Sequence, residues 1–334
     1  MEMTNELKAL LGQRLHVLTP PTGRDVLQSA REVGRFGGHK WEQLELPRFV
    51  KQGCLVNLGN TAPVACSRQF IVIHDAGVFE VPEAYGWRFR LWYKTIQYWL
   101  ARNGTTILTV SESSRVDIAR HLRIPERRIL VVPEGTDHLD WVEADEGILA
   151  RSDLQKGRFV LAVGNLAAHK NLAALSSLAR MLPTYGAQLV VAGHLKGDAF
   201  SGSGLTGLPQ PALYLGRVTD AELKALYKRA ACYVFPSRYE GYGLPAAEAM
   251  RCGCPVVASD IPALRESCGD AALYSDPGSP DAFAGNVARI LTNETLREEL
   301  VMKGLLRTKH QTWRYAAQQL VGIVEETLRP TYVR

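Results

Sequence analysis

The stretch 235–260, FPSRYEGYGLPAAEAMRCGCPVVASD, predicts a strand, a tight turn and a helix. The run ACYVFPS leads into it and is almost continuously apolar, as expected for a strand covered on both faces of a parallel sheet. Pro245 and Gly253 bracket the helix, because proline is favoured in the first helical turn and glycine just past the last. Strand, turn and helix in this order form the repeating unit of a doubly wound sheet.

The same pattern repeats along the chain on both sides of this stretch. Short apolar runs alternate with helical segments, which is typical of parallel sheets with helices on both faces. The strand-like runs are 14–20, 53–58, 69–75, 105–111 and 127–133, then 158–164, 187–193, 212–216, 231–236, 254–259 and 271–275. A chain of 334 residues with two such series predicts two doubly wound Rossmann-like domains, 1–145 and 146–310. Ligands of such sheets bind beyond the carboxyl ends of the strands, so we expect the site in a central cleft that the two domains face.

The composition restricts the classes of protein to which the chain can belong. Apolar residues make up 46% and charged residues 22%, as in soluble globular proteins. No run approaches the roughly 18 apolar residues of a membrane-spanning helix, and the acidic start MEMTNELKALLGQ lacks a signal-peptide core, which predicts a cytoplasmic protein. The six cysteines lack the spacing of a zinc site, so no metal is expected. The net charge of +5 permits an anionic ligand or a membrane surface, and no motif indicates nucleic acid.

Two acids flank the glycine turn of the opening stretch, eight positions apart. Gly241 and Gly243 let the backbone approach a ligand closely, and the N–H groups at the helix start suit phosphate or sugar oxygens. Glu248, one turn into the helix, can accept hydrogen bonds from a vicinal diol such as a ribose. Glu240, on the turn, can reach another part of the same ligand. Two solvated acids are the alternative for either residue alone, and the complete string favours a binding site.

The motif VGNLAAHKNL, 163–172, follows the first strand of the second series. It places Lys170 at the start of a helix that we expect to begin near Asn171. A cation at a helix N-terminus is unfavourable unless an anion binds there, and a diphosphate is such an anion. A solvated surface lysine is the alternative.

Two further segments are candidates for ligand contact. Gly216 to Val218 follow a strand and can form a rim for a nucleobase, although Thr219 as a helix cap explains the segment as structure alone. His74 ends the buried run QFIVIHD at the predicted cleft edge. It is either a structural histidine or a donor of hydrogen bonds to a sugar.

The segment 86–103, GWRFRLWYKTIQYWLARN, combines three tryptophans and two tyrosines with basic residues. Such a helix can lie on an anionic membrane surface. It can also be an ordinary packed helix with a basic solvent face, which is the favoured interpretation, and the net charge does not decide between the two.

Taken together, these strings resemble a known family. EGYGLPAAEA resembles the E-x7-E motif of the retaining family-4 (group 1) glycosyltransferases of the two-domain GT-B fold. VGNLAAHKNL, YLGRVTDAELKALY and GCPVVASDIPALRE look like neighbouring blocks of that family in the same order. In the first half, NTAP, IHDAG, TVSESSRVDIARHL and VVPEGTDHL resemble its mannosyl- and rhamnosyltransferase-like members. The resemblance covers roughly 53–330, and the tail 311–334 looks like the helix that returns to the N-terminal domain.

The resemblance implies a role for each matching residue. Glu248 would bind the donor ribose, Glu240 would contact the transferred sugar, Lys170 would neutralise the departing diphosphate, and His74 would hydrogen-bond the sugar. The backbone of the turn would hold sugar and phosphate oxygens, through Gly241, Tyr242, Gly243 and Leu244. Asn165 and Val218 complete the predicted donor site.

The resemblance also implies an activity. Family members transfer a sugar from a nucleotide-diphosphate sugar with retention of configuration, without a protein nucleophile, and generally without a bound metal or other cofactor. The expected reaction moves a hexose or deoxyhexose, mannose from a guanosine donor first and rhamnose second, to a polysaccharide or lipid-linked acceptor. Peripheral contact with the inner face of a membrane would accompany a lipid-linked acceptor. The alternatives are a GT-B nucleotide-sugar epimerase and a non-catalytic protein that binds sugar nucleotides.

The chain departs from the family pattern at two places. Many members carry an arginine where this chain has Asn165, and His169 is a candidate to supply part of that charge. Members usually begin with a strand and a glycine-rich loop, whereas this chain begins with a helix followed by what resembles the second strand. The first domain is therefore predicted to lack its usual first strand, through either a later start of the chain or a remodelled domain.

Overall fold

The computed structural model describes residues 1–21, 30–50, 53–193 and 209–329. Its strands are β1 (Leu18–Thr19), β2 (Arg31–Glu32), β3 (Leu55–Asn57), β4 (Gln69–Val72), β5 (Thr106–Thr109), β6 (Ile129–Val131), β7 (Phe159–Val163), β8 (Gln188–Ala192), β9 (Ala212–Gly216), β10 (Cys232–Phe235), β11 (Val256–Ser259) and β12 (Ala272–Ser275). Each of the eleven predicted runs contains a strand. β2 was not predicted, because it is two residues long and exposed, and therefore carries no apolar signal.

The helices alternate with these strands. They are α1 (Glu2–Leu11), α2 (Gly38–Lys40), α3 (Leu46–Phe49), α4 (Gly77–Glu80), α5 (Trp87–Leu100), α6 (Glu112–Leu122), α7 (Gly147–Arg151), α8 (Ser176–Met181), α9 (Asp220–Arg229), α10 (Leu244–Arg251), α11 (Pro262–Cys268), α12 (Pro280–Thr292), α13 (Glu294–Thr308) and α14 (Trp313–Leu328). A π-helical segment, Trp41–Glu45, joins α2 to α3. Short 3-10 turns include Pro82–Ala84, Asp137–Trp141, Ala168–Lys170, Leu172–Leu175 and Leu182–Tyr185.

The described residues form two compact units. The first holds Met1–Phe79, Arg88–Gly135 and Thr312–Arg334, and the second holds Glu80–Trp87 and Thr136–Gln311. The predicted division at 145/146 lies ten residues beyond the observed one at 135/136. The reason is local packing, because Leu139 lies in the apolar core of the second unit and Asp145 donates its N–H to the carbonyl of Ala221.

The first unit contains two parallel sheets. Four strands pair in the order β3-β4-β5-β6, and β1 pairs with β2 in a separate two-stranded sheet. Helix α1 precedes β1, which is the order that the sequence predicts for the start of the chain. An apolar cluster of Val33, Trp41 and Leu46 packs against both Leu18 of β1 and Leu55 of β3.

The second unit is built on one six-stranded parallel sheet, in the order β12-β11-β10-β7-β8-β9. Alternate side chains of β7 face opposite sides, so that Phe159 and Leu161 join one apolar core while Val160 and Ala162 join the other. Cores on both faces explain why these strands read as continuous apolar runs rather than alternating ones. Helices cover both faces, as a doubly wound sheet requires.

All six cysteines are free thiols. Cys232 lies in the middle of the second sheet, and burial raises the pKa of its thiol to about 12. The cysteines of this unit therefore behave as small apolar side chains, as the sequence indicates.

Candidate active site

The strand order of the second unit defines where a ligand belongs. The chain runs from β7 outward to β8 and β9, then returns to β10 on the other side of β7. β7 and β10 are direct parallel neighbours, with Val160 opposite Cys232 and Leu161 opposite Tyr233. The two crossovers therefore diverge at their carboxyl ends, and this switch point is the usual ligand crevice of an open parallel sheet. The segments beyond β7 and β10 carry Lys170 and Glu240.

The structure brings these two residues together. Lys170 Nζ lies 2.7 Å from Glu240 Oε1, and both side chains are largely shielded from solvent. The ammonium also lies 5.8 Å from the ring centroid of Phe235, the last residue of β10. The ion pair holds a cation and an anion at the switch point.

Lys170 lies directly before the helical segment that was predicted to begin near Asn171. It ends the 3-10 turn Ala168–Lys170, Asn171 follows with a left-handed φ of 53°, and a second 3-10 turn, Leu172–Leu175, then runs into α8. The Asn171 amide fixes this bend by donating to the carbonyls of Pro236 and Pro277. The helical segment therefore begins as a 3-10 turn at Leu172, and its first α-helical residue is Ser176.

The glycine turn beyond β10 has the geometry that its sequence predicts. Gly243 adopts φ 97° and caps α10, with Pro245 in the first turn. A Cβ at Gly243 would overlap with the side chain of Leu264, so that a larger residue is excluded by space as well as by φ. Leu244 begins the helix, and Tyr242 is buried in the turn that Gly241 precedes.

Glu248 is a buried carboxylate with two protein partners. Its Oε1 lies 3.1 Å from His138 Nε2, and its Oε2 accepts a hydrogen bond of 3.3 Å from the hydroxyl of Tyr227. Burying a charged group without partners costs several kcal/mol, and these contacts offset that cost. Burial, and then the charge of Glu248, raise the pKa of Tyr227 well above its usual value, which keeps the hydroxyl a donor.

His138 was assigned no role from the sequence. It lies in the turn Asp137–Trp141, 110 positions before its partner, so no local spacing connects the two residues. Arg251 at the end of α10 holds this turn in place, with Nη2 2.6 Å from Asp140 Oδ2. The available signal was the polar run PEGTDHLD directly after a predicted strand, where parallel sheets carry their ligand-binding residues.

His169, the residue expected to supply part of the missing positive charge, is neutral in this structure. Burial lowers the pKa of its imidazole, and the neighbouring Lys170 lowers it further, although Glu240 and Glu83 oppose the shift. His169 is therefore neutral around pH 7, and Lys170 carries the positive charge of this segment. Asn165 shapes the same loop, because its side-chain oxygen accepts the N–H of Ala167 at 3.1 Å.

The structure describes the surroundings of two other predicted site residues, one in each unit. Val218 packs, partly buried, against an apolar core of the second unit, directly before the capping box of Thr219 and Glu222. His74 belongs to the first unit, where Nε2 lies 2.9 Å from the carbonyl of Leu58 and Nδ1 lies 3.5 Å from Glu134 Oε1. The hydrogen bond to Glu134 raises the pKa of His74, against the opposing effect of burial.

No group of three or more His, Cys, Asp or Glu side chains suited to a metal ion occurs in the described part of the chain. Lys170 places a positive charge at the switch point, where it faces the carboxylate of Glu240.

Two known families match this sequence. Residues 148–306 match the family described as "Glycosyl transferases group 1", and residues 64–138 match "Glycosyltransferase Family 4". O-antigen chain mannosyltransferase B of Escherichia coli is 31% identical over 270 residues, which cover 78% of this chain and 71% of that protein. This chain is a group 1 glycosyltransferase.

Further relatives and solved structures agree with this assignment. O-antigen chain mannosyltransferase RfbU of Salmonella typhimurium LT2 is 26% identical over 73% of this glycosyltransferase and 67% of its own length. Sucrose-phosphate synthase of Thermosynechococcus elongatus superposes with a TM-score of 0.72 at 19% identity, over 97% of this chain and 92% of that one. WaaG, described as a glycosyltransferase involved in lipopolysaccharide biosynthesis, superposes with a TM-score of 0.68 at 16% identity. The superposition covers 96% of this chain and 95% of WaaG. The fold of this glycosyltransferase is the two-domain α/β fold GT-B, as the sequence predicted.

Proposed function

We propose that this glycosyltransferase transfers mannose from GDP-mannose, with retention of configuration, to a lipid-linked glycan in polysaccharide biosynthesis. The observation that carries the proposal is the pair of Lys170 and Glu240 at the switch point between β7 and β10. Several relatives are named as mannosyltransferases, and two of them act on O-antigen chains by their names, which favours mannose over rhamnose.

Glu248 binds the donor ribose in this proposal. A carboxylate has about four acceptor positions, and the contacts from His138 and Tyr227 occupy two of them. The remaining positions accept the two hydroxyls of a vicinal diol. The two protein contacts fix the plane of the carboxylate before the nucleotide arrives, so binding does not have to order this side chain.

Lys170 stabilises the diphosphate as it leaves. Its charge lies at the switch point, and Leu244 begins a helix whose N-terminus favours anions. When the diphosphate binds, the ammonium is shared between Glu240 and the phosphate oxygens. Positive charge held in place before the reaction stabilises the negative charge that develops on the leaving group.

Glu240 positions the transferred sugar and does not attack it. Its carboxylate is paired with Lys170, so it is an anion of reduced nucleophilicity that accepts hydrogen bonds from sugar hydroxyls. The bond from C1 to the diphosphate oxygen breaks while a bond from C1 to the acceptor oxygen forms on the same face. The proton of the acceptor hydroxyl passes to the departing phosphate oxygen, which balances the reaction without a covalent enzyme intermediate.

A thermal-shift screen against GDP-mannose, dTDP-rhamnose, UDP-glucose and UDP-N-acetylglucosamine tests the donor. GDP-mannose should stabilise the chain by about 2.7 kcal/mol at 100 times its dissociation constant, and Glu248→Ala should abolish the shift. A shift with another donor alone would replace mannose in the proposal, and no shift with any donor would overturn it. Transfer is then tested with GDP-mannose and a lipid-linked oligosaccharide, with the anomeric configuration of the product determined by NMR. An inverted product would exclude retention.

A further inference from the structure

Helix α5 presents an exposed face of aromatic and basic side chains. Four side chains lie along one side of the helix, and a fifth lies in the turn two residues after its end: Arg88, Leu91, Trp92 and Trp99, then Arg102. All five are exposed, Leu91 at 61%, Trp99 at 52% and Trp92 at 38%. We call these five residues the aromatic-basic face. Two tryptophans and a leucine in one stripe form an unusual apolar exposure for a water-facing helix.

The opposite side of α5 is packed, so the orientation of the helix is fixed. Ile96 and Leu100 are buried, and the buried Gln97 donates to the carbonyl of Asn60 at 3.2 Å. The hydroxyl of Tyr98 donates to the carbonyl of His121 at 2.6 Å. The apolar side chains of the aromatic-basic face therefore cannot be buried by rotating the helix.

The charge around this face is positive. Helix α5 contains no Asp or Glu. Arg102 donates to the carbonyls of Tyr98 and Leu122, which are neutral acceptors and leave its charge uncompensated. Lys94, on the same helix, has a pKa lowered by burial and by repulsion from Arg90. An anionic surface would relieve this repulsion.

A neighbouring segment of the first unit contacts α5 through the ring of His39. The His39 ring lies 5.3 Å from that of Trp92 and 5.8 Å from that of Tyr93, between centroids. Leu44, five positions after His39, is 57% exposed. The acid of this segment, Glu42, is mostly buried and accepts a hydrogen bond of 2.7 Å from Thr61, so it does not add an exposed negative charge.

We propose that the aromatic-basic face docks this glycosyltransferase on the surface of an anionic phospholipid bilayer. This deepens the proposed function and rests on it in one respect, because a lipid-linked acceptor has to be met at a membrane. Tryptophan rings belong at the boundary between headgroups and acyl chains, and arginine stems lie along apolar surface while their guanidinium groups reach phosphate. None of the described helices is long and apolar enough to cross a bilayer, so α5 lies on the surface. Charge complementarity favours anionic lipid over an apolar protein partner.

Sedimentation with vesicles tests this surface on the full chain. We expect at least about tenfold stronger binding to vesicles of equimolar phosphatidylcholine and phosphatidylglycerol than to phosphatidylcholine alone, and weaker binding at high salt. The double variant Leu91→Gln/Trp99→Gln should lose most of this binding, and Arg88→Gln/Arg102→Gln should lose the preference for anionic lipid. The matched control Met302→Gln/Leu306→Gln removes two similarly exposed apolar side chains from α13 and should bind as the wild type does. Unchanged thermal melting of each variant excludes unfolding.

The outcomes separate this proposal from the proposed function. Docking is overturned if the wild-type protein binds neither kind of vesicle or binds both equally. It is also overturned if the variant Leu91→Gln/Trp99→Gln binds as strongly as the wild type. It is also overturned if wild-type protein self-associates in sedimentation velocity and only that association is lost in the variant, since a second copy would then cover the face. In each of these cases stabilisation by GDP-mannose would persist. Loss of vesicle binding together with intact transfer to a delipidated acceptor is the result expected of the double variant.

Discussion

At the scale of single residues, the buried carboxylate of Glu248 depends on His138. Replacing His138 with alanine removes the partner of Oε1, which should lower the free energy of unfolding by about 1–3 kcal/mol. Affinity for GDP should fall as well, because the carboxylate is then free to rotate. Tyr227→Phe, which removes only the longer contact, should cost about 1 kcal/mol or less. Urea unfolding measures the stability and calorimetry measures the affinity for GDP. If His138→Ala has the stability and affinity of the wild type, the contact contributes nothing.

The charge of Lys170 should matter for phosphate and not for the nucleoside. Lys170→Ala is expected to lower the affinity for GDP by roughly tenfold to a hundredfold, because a charge-assisted contact is worth about 1.5–3 kcal/mol. The affinity for guanosine should stay nearly unchanged. Calorimetric titration of each variant with both ligands measures the difference. Lys303→Ala, which removes a lysine paired with Glu299 on α13, is the matched control. Equal losses for GDP and guanosine would contradict the phosphate role.

His74 should make the first unit sensitive to pH. Its pKa is raised in the folded chain, chiefly by the hydrogen bond to Glu134, above the reference value of 6.5. A raised pKa contributes stability that is fully present below pH 6.5 and is lost as the pH rises through the folded pKa. Urea unfolding at several pH values should show this loss, and His74→Gln should flatten that part of the profile. A wild-type profile in the variant would assign the dependence to other groups.

At the scale of secondary-structure elements, the sequence predicted the strands more reliably than the contacts between polar side chains of the site. Strands such as β7 and β10 are covered on both faces, so nearly all of their side chains are apolar and the sequence shows continuous apolar runs. The helix expected near Asn171 begins at Leu172, but the two hydrogen bonds of the Asn171 side chain join it to segments 65 and 106 positions away and have no local signal. His138 was missed because its contact with Glu248 is equally distant in sequence. Local pattern thus reveals what is buried, whereas distant contacts decide which polar side chains meet.

The turn before α10 should be intolerant of any side chain. Gly243→Ala forces a Cβ against Leu264 at a φ of 97°, which should cost roughly 1–3 kcal/mol or more. Gly285→Ala in α12 meets open space at an ordinary φ and should stabilise the chain by about 0.5–1 kcal/mol. Chemical denaturation of both variants measures the contrast. Equal effects of the two substitutions would mean that neither the φ nor the Leu264 contact constrains the turn.

At the scale of the whole molecule, the residues of the proposed donor site divide unequally between the two units. The second unit holds four of these residues, which are Lys170, Glu240, Glu248 and His138. The first unit holds His74. The sequence predicted two doubly wound domains from two series of strands, and the structure has two units with parallel sheets. The predicted boundary differs by ten residues because the segment after β6 carries Leu139, which packs into the second core. A boundary inside a polar stretch has no periodic signal.

This division predicts where a nucleotide should change the dynamics of the chain. GDP at 100 times its dissociation constant contributes about 2.7 kcal/mol, which slows the exchange of amides that open with the second unit by about a hundredfold. Hydrogen exchange followed by mass spectrometry should therefore show strong added protection in β7, β10 and α10. Peptides from β4 and β5 of the first unit should change much less, because most of the residues proposed to hold the nucleotide belong to the other unit. Glu248→Ala should remove the added protection at the same GDP concentration. Equal protection of both units would mean that they open together, and protection confined to the first unit would move the donor site out of the second.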